Sequence, residues 1–218
     1  MIFEKHSELE GLHAFLSPSN YHWVNYSPDK LADRYLKKLA VERGTELHEF
    51  ACTAIRLGRM QPRNKDTVNL YINDAIGFRM TPEQPLFYSY NCFGTADAIS
   101  YSRNTLRIHD LKTGEIEANM LQLKIYAALF CLNYQAVVRD LRKKGAGDID
   151  IAARLGVAPK ELHFEPEKMN NIELRIYQLG DIRVDNPDPA EIRNLMNTIV
   201  ESDQVIKSVK AEGFGDEG

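Results

Sequence analysis

The chain has 218 residues, 44% of them hydrophobic and 27% charged, with a formal net charge of -4. A chain of that length buries roughly 70% of its unfolded surface as one domain. It therefore needs no disulfide or metal staple to fold, and its slight acidity excludes nucleic-acid binding through global charge alone.

The three cysteines, Cys52, Cys92 and Cys131, lie far apart and form no CxxC pair. That argues against a zinc ribbon or a four-cysteine cluster and for a reducing, cytoplasmic (intracellular) setting. The N-terminal MIFEKHSELEG has no basic head followed by an apolar run, and no stretch approaches the roughly 20 apolar residues of a membrane span, so no membrane association is expected. Without repeats or linkers, residues 1–218 read as a single domain with a helical N-terminal region and a C-terminal helix.

In chain order, residues 6–40 suggest a short helical segment, a turn at Ser17-Pro18-Ser19, and a helix starting after Ser27-Pro28, where Ser caps and Pro fits the first turn. Trp23 reads as a core anchor. A second helix is expected from about Val41 to Leu57, with Gly44, His48, Ala51 and Ile55 on one stripe. His48-Glu49-Phe50-Ala51-Cys52 begins like a metalloprotease helix, but Cys52 stands where the second His must be, and a protease is rejected. Residues 58–85, with Gly58, Pro62, Gly77, Pro82 and Pro85, read as loops around a strand or short helix at VNLYIND. Leu86 to Phe93 reads as a strand hairpinned to the next one, with Gly94 at the turn.

The segment from Gly94 to Tyr126 is the most informative. Side-chain period two puts Thr95, Asp97, Ile99 and Tyr101 on one face of a strand, and Leu106, Ile108, Asp110 and Lys112 on one face of the next. Strands disfavour Asp, and a buried carboxylate needs a counter-charge, a hydrogen bond or a metal. Asp97, Asp110 and Lys112 at the ends of paired strands therefore suggest a cation site with its own ammonium beside it. On the helix that follows, Gln122 and Tyr126 share a face at i, i+4, while Leu121, Ile125, Ala128, Leu129 and Leu132 form an apolar stripe.

The helix continues through Val137 to Lys144 and stops at Gly145-Ala146-Gly147. No GxxxxGK[ST] or GxGxxG occurs, so no nucleotide cofactor is expected. Leu162 to Pro166 and Ile172 to Gln178 alternate like two strands, and Asp188, Pro189 and Glu191 start a last helix carrying Ile192, Leu195, Met196, Ile199 and Ile206. The acidic tail from Glu212 reads as frayed.

His48, then Asp97 in GTAD, Asp110-Leu111-Lys112 in DLKTG, and Gln122 and Tyr126 in QLKIY follow one another in an order that resembles the PD-(D/E)XK nuclease superfamily, and within it the RecB-like branch. That branch includes phage-type recombination exonucleases and CRISPR-adaptation nucleases. The resemblance covers Ser17 to about Tyr177. It implies an α/β fold with a restriction-endonuclease-like core, a mixed β-sheet flanked by α-helices. It implies that His48, Asp97 and Asp110 ligate Mg²⁺ or Mn²⁺ together with the Leu111 carbonyl, that Lys112 positions or deprotonates the attacking water, and that Gln122 and Tyr126 orient the site and contact DNA. It also implies a stand-alone DNA exonuclease of recombination or repair, closed into a homo-oligomeric ring or paired with a single-strand annealing protein. The four cysteines that carry an iron-sulfur cluster in some relatives are missing, so no such cluster is expected.

Local basic groups offer DNA contacts: Arg34, Lys37, Lys38 and Arg43; Arg56, Arg59, Arg63 and Lys65, of which Arg56 and Arg59 are the candidates nearest His48; and Arg139, Arg142, Lys143 and Lys144. Three competing accounts are a structural salt bridge, a catalytically inactive DNA-binding subunit of a nuclease complex, and a metal-dependent hydrolase acting on something other than DNA. The inactive subunit is the closest rival, although such proteins usually lose the Lys or a metal-binding carboxylate, and both survive here.

Overall fold

Alternating apolar residues at the centre of the chain pair into a five-stranded sheet of order β1-β2-β3-β4-β5. Its strands are β1 (Thr81–Ser89), β2 (Cys92–Ser102), β3 (Thr105–Lys112), β4 (Asn171–Gln178) and β5 (Asp181–Asp185). The helices are α1 (Pro28–Arg56), α2 (Thr67–Gly77), α3 (Leu121–Lys143), α4 (Asp148–Leu155) and α5 (Pro189–Ala211). The structure is a computed structural model that describes residues 7–155, Pro159, Leu162 and 171–211. Neighbouring strands are antiparallel except β3 and β4, which run parallel in register from Thr105–Asn171 to Lys112–Gln178. A parallel pair requires a crossover, and α3 and α4 lie in it. The chain is thus mixed α/β, a five-stranded mixed sheet flanked by helices.

Two compact units divide the chain, Met1–Glu46 and Leu47–Gly218. In the first, 3₁₀ turns at Ser7–Leu9 and Pro18–Asn25 bury no side chain. Trp23 is not the core anchor expected of it. It is half-buried, with its Nε1–H donating to Ser17 O at 3.1 Å. Ring contacts hold this unit together: Phe15 meets Tyr35 edge-on at 5.1 Å, and Lys30 Nζ lies 4.3 Å over Tyr26. The two expected helices are one continuous α1, because nothing between Ala40 and Glu42 breaks a helix and Gly44 is absorbed within it.

In the second unit, apolar layers cover both sheet faces. On one, Ile99, Tyr101, Leu106 and Ile108 pack with Leu123, Ala127 and Cys131 of α3 and Ile192 of α5. On the other, Ala98, Leu111 and Tyr177 pack with Ala51 and Ile55 of α1 and with Val68, Tyr71, Ile72 and Ala75 of α2. VNLYIND is helical, as one of its two readings allowed. Asp66 caps α2 by accepting from the Val68 and Asn69 N–H groups, and its buried residues recur at helical spacing. Among the described residues α3 is the one helix long and apolar enough, by length and composition, to cross a membrane, and 41% of its most apolar stretch is buried inside the protein.

Two features differ from expectation. The β1–β2 turn lies at Tyr90 and Asn91, and Gly94 is inside β2. β5 was not foreseen; it follows the turn Leu179-Gly180, whose φ angles of 53° and 76° suit a tight hairpin. Of the strand expected over Leu162 to Pro166, Leu162 is in a 3₁₀ turn and the rest lies outside the described residues, as does the tail from Glu212. α5 begins where expected, with Asp188 Oδ1 accepting from the Ala190 N–H at 2.7 Å, but the Glu191 carboxylate pairs with Lys124 at 2.8 Å.

A polar cluster interrupts the second layer. The Tyr177 hydroxyl donates to Asp74 Oδ2 at 2.7 Å, which also accepts from Arg175 Nη1 at 2.8 Å. The hydroxyl oxygen is then free to accept the proton of His109 Nδ1, 3.2 Å away, which sets the neutral tautomer. Burial, then the Arg175 and Arg107 charges, hold the His109 imidazole down at about 3. The folded value lies below the unfolded one near 6.5, so stability is lost as pH falls through 6.5, when only the unfolded chain takes up the proton. Between pH 7.5 and 5 this costs about 2 kcal/mol. His109→Phe should remove that part of the acid slope in urea unfolding measured at the two pH values; an unchanged slope would refute the assignment.

Candidate metal centre

β2 and β3 are paired from Ser102–Thr105 to Ala98–His109 and no further. Just past that point, the Leu111 N–H donates to Asp97 Oδ2 at 2.9 Å. A side chain thus takes over the hydrogen bond that the ladder would have supplied, satisfying a backbone donor that would be costly to leave unpaired. The alternation of β2 breaks at the same place. Ala96 and Ile99 both pack in the layer under α3, while Ala98 belongs to the layer under α2. Asp97 therefore does not share the face of Ile99 and Tyr101, as simple alternation predicts, but turns toward α1.

On α1, His48 meets it. Nδ1 lies 3.5 Å from Asp97 Oδ2. Across from Asp97 on β1, between the pairs Pro82–Ala98 and Gln84–Ala96, sits Glu83, with a φ of 50°. A non-glycine residue in that left-handed region costs about 1–2 kcal/mol, and such positions cluster at functional sites. His48, Glu83 and Asp97 each offer a ligand atom, and the three atoms lie within 4.8 Å of one another.

Asp110 lies outside this tight group. It is buried, and its carboxylate is held by Lys112 Nζ at 3.1 Å from Oδ1 and 3.0 Å from Oδ2. Oδ2 nevertheless accepts no hydrogen bond. Lys112 Nζ also donates to Gln122 Oε1 at 3.2 Å, and Gln122 Nε2 donates to the Tyr126 hydroxyl at 3.2 Å. The strand-borne and helix-borne candidates thus form one chain of contacts. Gly94 makes room for it, since a Cβ there would come within 2.9 Å of the Tyr126 ring.

The electrostatics describe crowded acids lacking sufficient positive charge. Burial, then the Asp97 charge, push Asp110 up to about 6, against the pull of Lys112 and His48. The same two causes raise Glu83, while His48 and Arg56 oppose them. The buried Tyr71 hydroxyl is raised well above its ordinary value, first by burial and then by Asp97, Glu83 and Asp110. Tyr71 of α2 thus lies within electrostatic reach of all three carboxylates.

Of the remaining predicted residues, Arg56 is exposed at the end of α1, close enough to stabilise the Glu83 anion. Arg59, also exposed, is anchored through its N–H to Ala54 O at 2.9 Å. Leu111 meets the site through its N–H. Sequence reasoning missed Glu83 because it lies in a segment read as loop; the available signal was an acid between Pro82 and Pro85. It also missed Gln178, the buried β4 partner of Lys112, whose Nε2 donates to Gly114 O and Ile116 O, both at 2.7 Å. Gln178 thereby fixes the loop after β3.

One imidazole and two carboxylates fit a divalent cation. Ligands at about 2.1 Å stand at most about 4.2 Å apart across the ion, so a group spread within 4.8 Å closes on one with shifts of a few tenths of an ångström. Asp110, ion-paired to Lys112 at 3.0 Å, adds a further carboxylate nearby, since it and Asp97 repel each other. No family model matches the chain, and neither a curated protein nor a solved structure matches it.

Cation binding should raise the thermal midpoint. Because Asp110 takes up its proton near 6 and Glu83 is also raised, the rise with Mn²⁺ should be several-fold smaller at pH 5 than at pH 7.5. Glu83→Gln should abolish most of the rise at pH 7.5. A Mn²⁺ response equal at both pH values, or untouched by Glu83→Gln, would remove these carboxylates from the ligand set.

Proposed function

We propose that the chain is a metal-dependent DNA nuclease with a restriction-endonuclease-like core, of the PD-(D/E)XK type and the RecB-like branch, acting as an exonuclease in DNA recombination or repair. The observation that carries this reading is Lys112. Its ammonium bridges the Asp110 carboxylate and Gln122, on the strand next to the one that brings Asp97 to His48 and Glu83. An amine beside a divalent-cation site, reached from the open end of a sheet, is an arrangement suited to phosphodiester hydrolysis.

In this reading His48, Glu83, Asp97 and Asp110 hold Mg²⁺ or Mn²⁺. A cation bound there supplies charge neutralisation at the phosphoryl oxygens and acidifies water. The chain's own residues do the rest. Lys112 Nζ orients the attacking water or takes its proton, and Gln122 keeps Nζ aimed at the site. Tyr126 fixes Gln122 in turn and faces the DNA strand, and Arg56 stabilises the acids on the α1 side. Arg56 and the exposed Arg59 offer charge to the DNA backbone.

Purified protein should degrade linear DNA with Mg²⁺ or Mn²⁺ and fall silent in EDTA. Lys112→Ala and Asp110→Asn should each lower the rate at least 100-fold with DNA binding retained. DNA bound but left intact under every metal would favour the inactive-subunit reading. End-labelled linear and closed circular substrates compared side by side would separate exonuclease from endonuclease.

A further inference from the structure

β1 starts at Thr81 opposite Ile99, so Ser100 to Ser102 of β2 run on without a β1 neighbour. The notch opens into a cleft of about 890 Å³. Arg79, Arg103, Arg107 and Arg154 contribute to its wall, and no acidic side chain does among the described residues. Arg107 is already engaged, 3.4 Å from Glu173 and stacked over Phe78 at 4.7 Å. Arg79 and Arg154 are exposed and pair with no acid among the described residues. Phe130 and Tyr134 of α3, with ring centroids 5.5 Å apart, line another part of the wall. The cleft also reaches Gln84, the neighbour of Glu83 along β1, while the carboxylate group itself does not line it among the described residues.

Two exposed guanidinium groups, Arg79 and Arg154, and an aromatic side chain in one cavity match a ligand that alternates phosphates with flat rings. We infer that this cleft holds nucleotides of a single nucleic-acid strand, with Arg79 and Arg154 on phosphates and the half-buried Phe130 against a base. The inference rests on the nuclease reading for its choice of strand, and it places substrate contacts at the β1 start, away from Gln122 and Tyr126.

The test is fluorescence anisotropy with a labelled single-stranded DNA oligonucleotide in EDTA, where no cleavage occurs, over a range of salt. Arg79→Glu with Arg154→Glu should weaken binding at least 10-fold. It should also lower the salt slope by about 1.4, two phosphates at about 0.7 each. The doubly neutral Arg79→Gln/Arg154→Gln protein should lose less affinity but the same slope. Both residues are exposed, so the thermal midpoint and the Mn²⁺ response should stay as in the parent. Unchanged affinity and slope in both variants would overturn the cleft assignment, even with cleavage intact. Arginine-dependent binding without cleavage under any metal would uphold the cleft and overturn the hydrolytic reading. A nucleoside monophosphate bound as tightly as the oligonucleotide would assign the cleft to free nucleotides and overturn the strand.

Discussion

The contact between the Leu111 N–H and Asp97 Oδ2 is the constraint on which the site depends. Had β2 kept its regular alternation past Ala98, Asp97 would share the face of Ile99 in the layer under α3. Because a carboxylate substitutes for the ladder, the two strands part at their functional end without leaving a buried donor unpaired. The same hydrogen bond orients Asp97, whose Oδ2 also lies 3.5 Å from His48 Nδ1. Fold and site thus share one interaction.

The chain of contacts from Asp110 through Lys112 and Gln122 to Tyr126 joins this strand pair to α3. On the far side of the sheet, Asp74, Tyr177 and His109 link α2 to β4 and β3 by a second polar chain. The two serve opposite ends of a charge scale. The first leaves Asp110 Oδ2 short of donors, whereas the second keeps His109 neutral under two guanidinium groups.

Much of this was legible in the sequence. Period-two alternation located β2 and β3, and the residues singled out at their ends, Asp110 and Lys112, touch the i, i+4 pair Gln122 and Tyr126 through Lys112. The rest was hidden for physical reasons. Alternation assumes an unbroken pleat, and the break at Asp97 moves that residue to another face. Glu83 owes its position to a backbone angle that local propensity assigns to glycine, so nothing in PEQP announces a strand bearing a ligand. VNLYIND has the composition of a strand and became helical through Asp66 capping and burial against the sheet. The fusion of two expected helices into α1 shows how little a single Gly44 weighs against a long run of helix formers.

Glu83 has a consequence for how the protein would respond to selection. Its left-handed backbone and its place among other carboxylates both work against the fold while no cation is present. Replacing it with glycine would relieve the conformational strain and the repulsion together, so a screen for heat resistance in chelator would favour that change and discard a ligand. If the group holds an ion, robustness and affinity pull in opposite directions at this position, and a variant carrying the glycine would be the more durable and the less able to hold it.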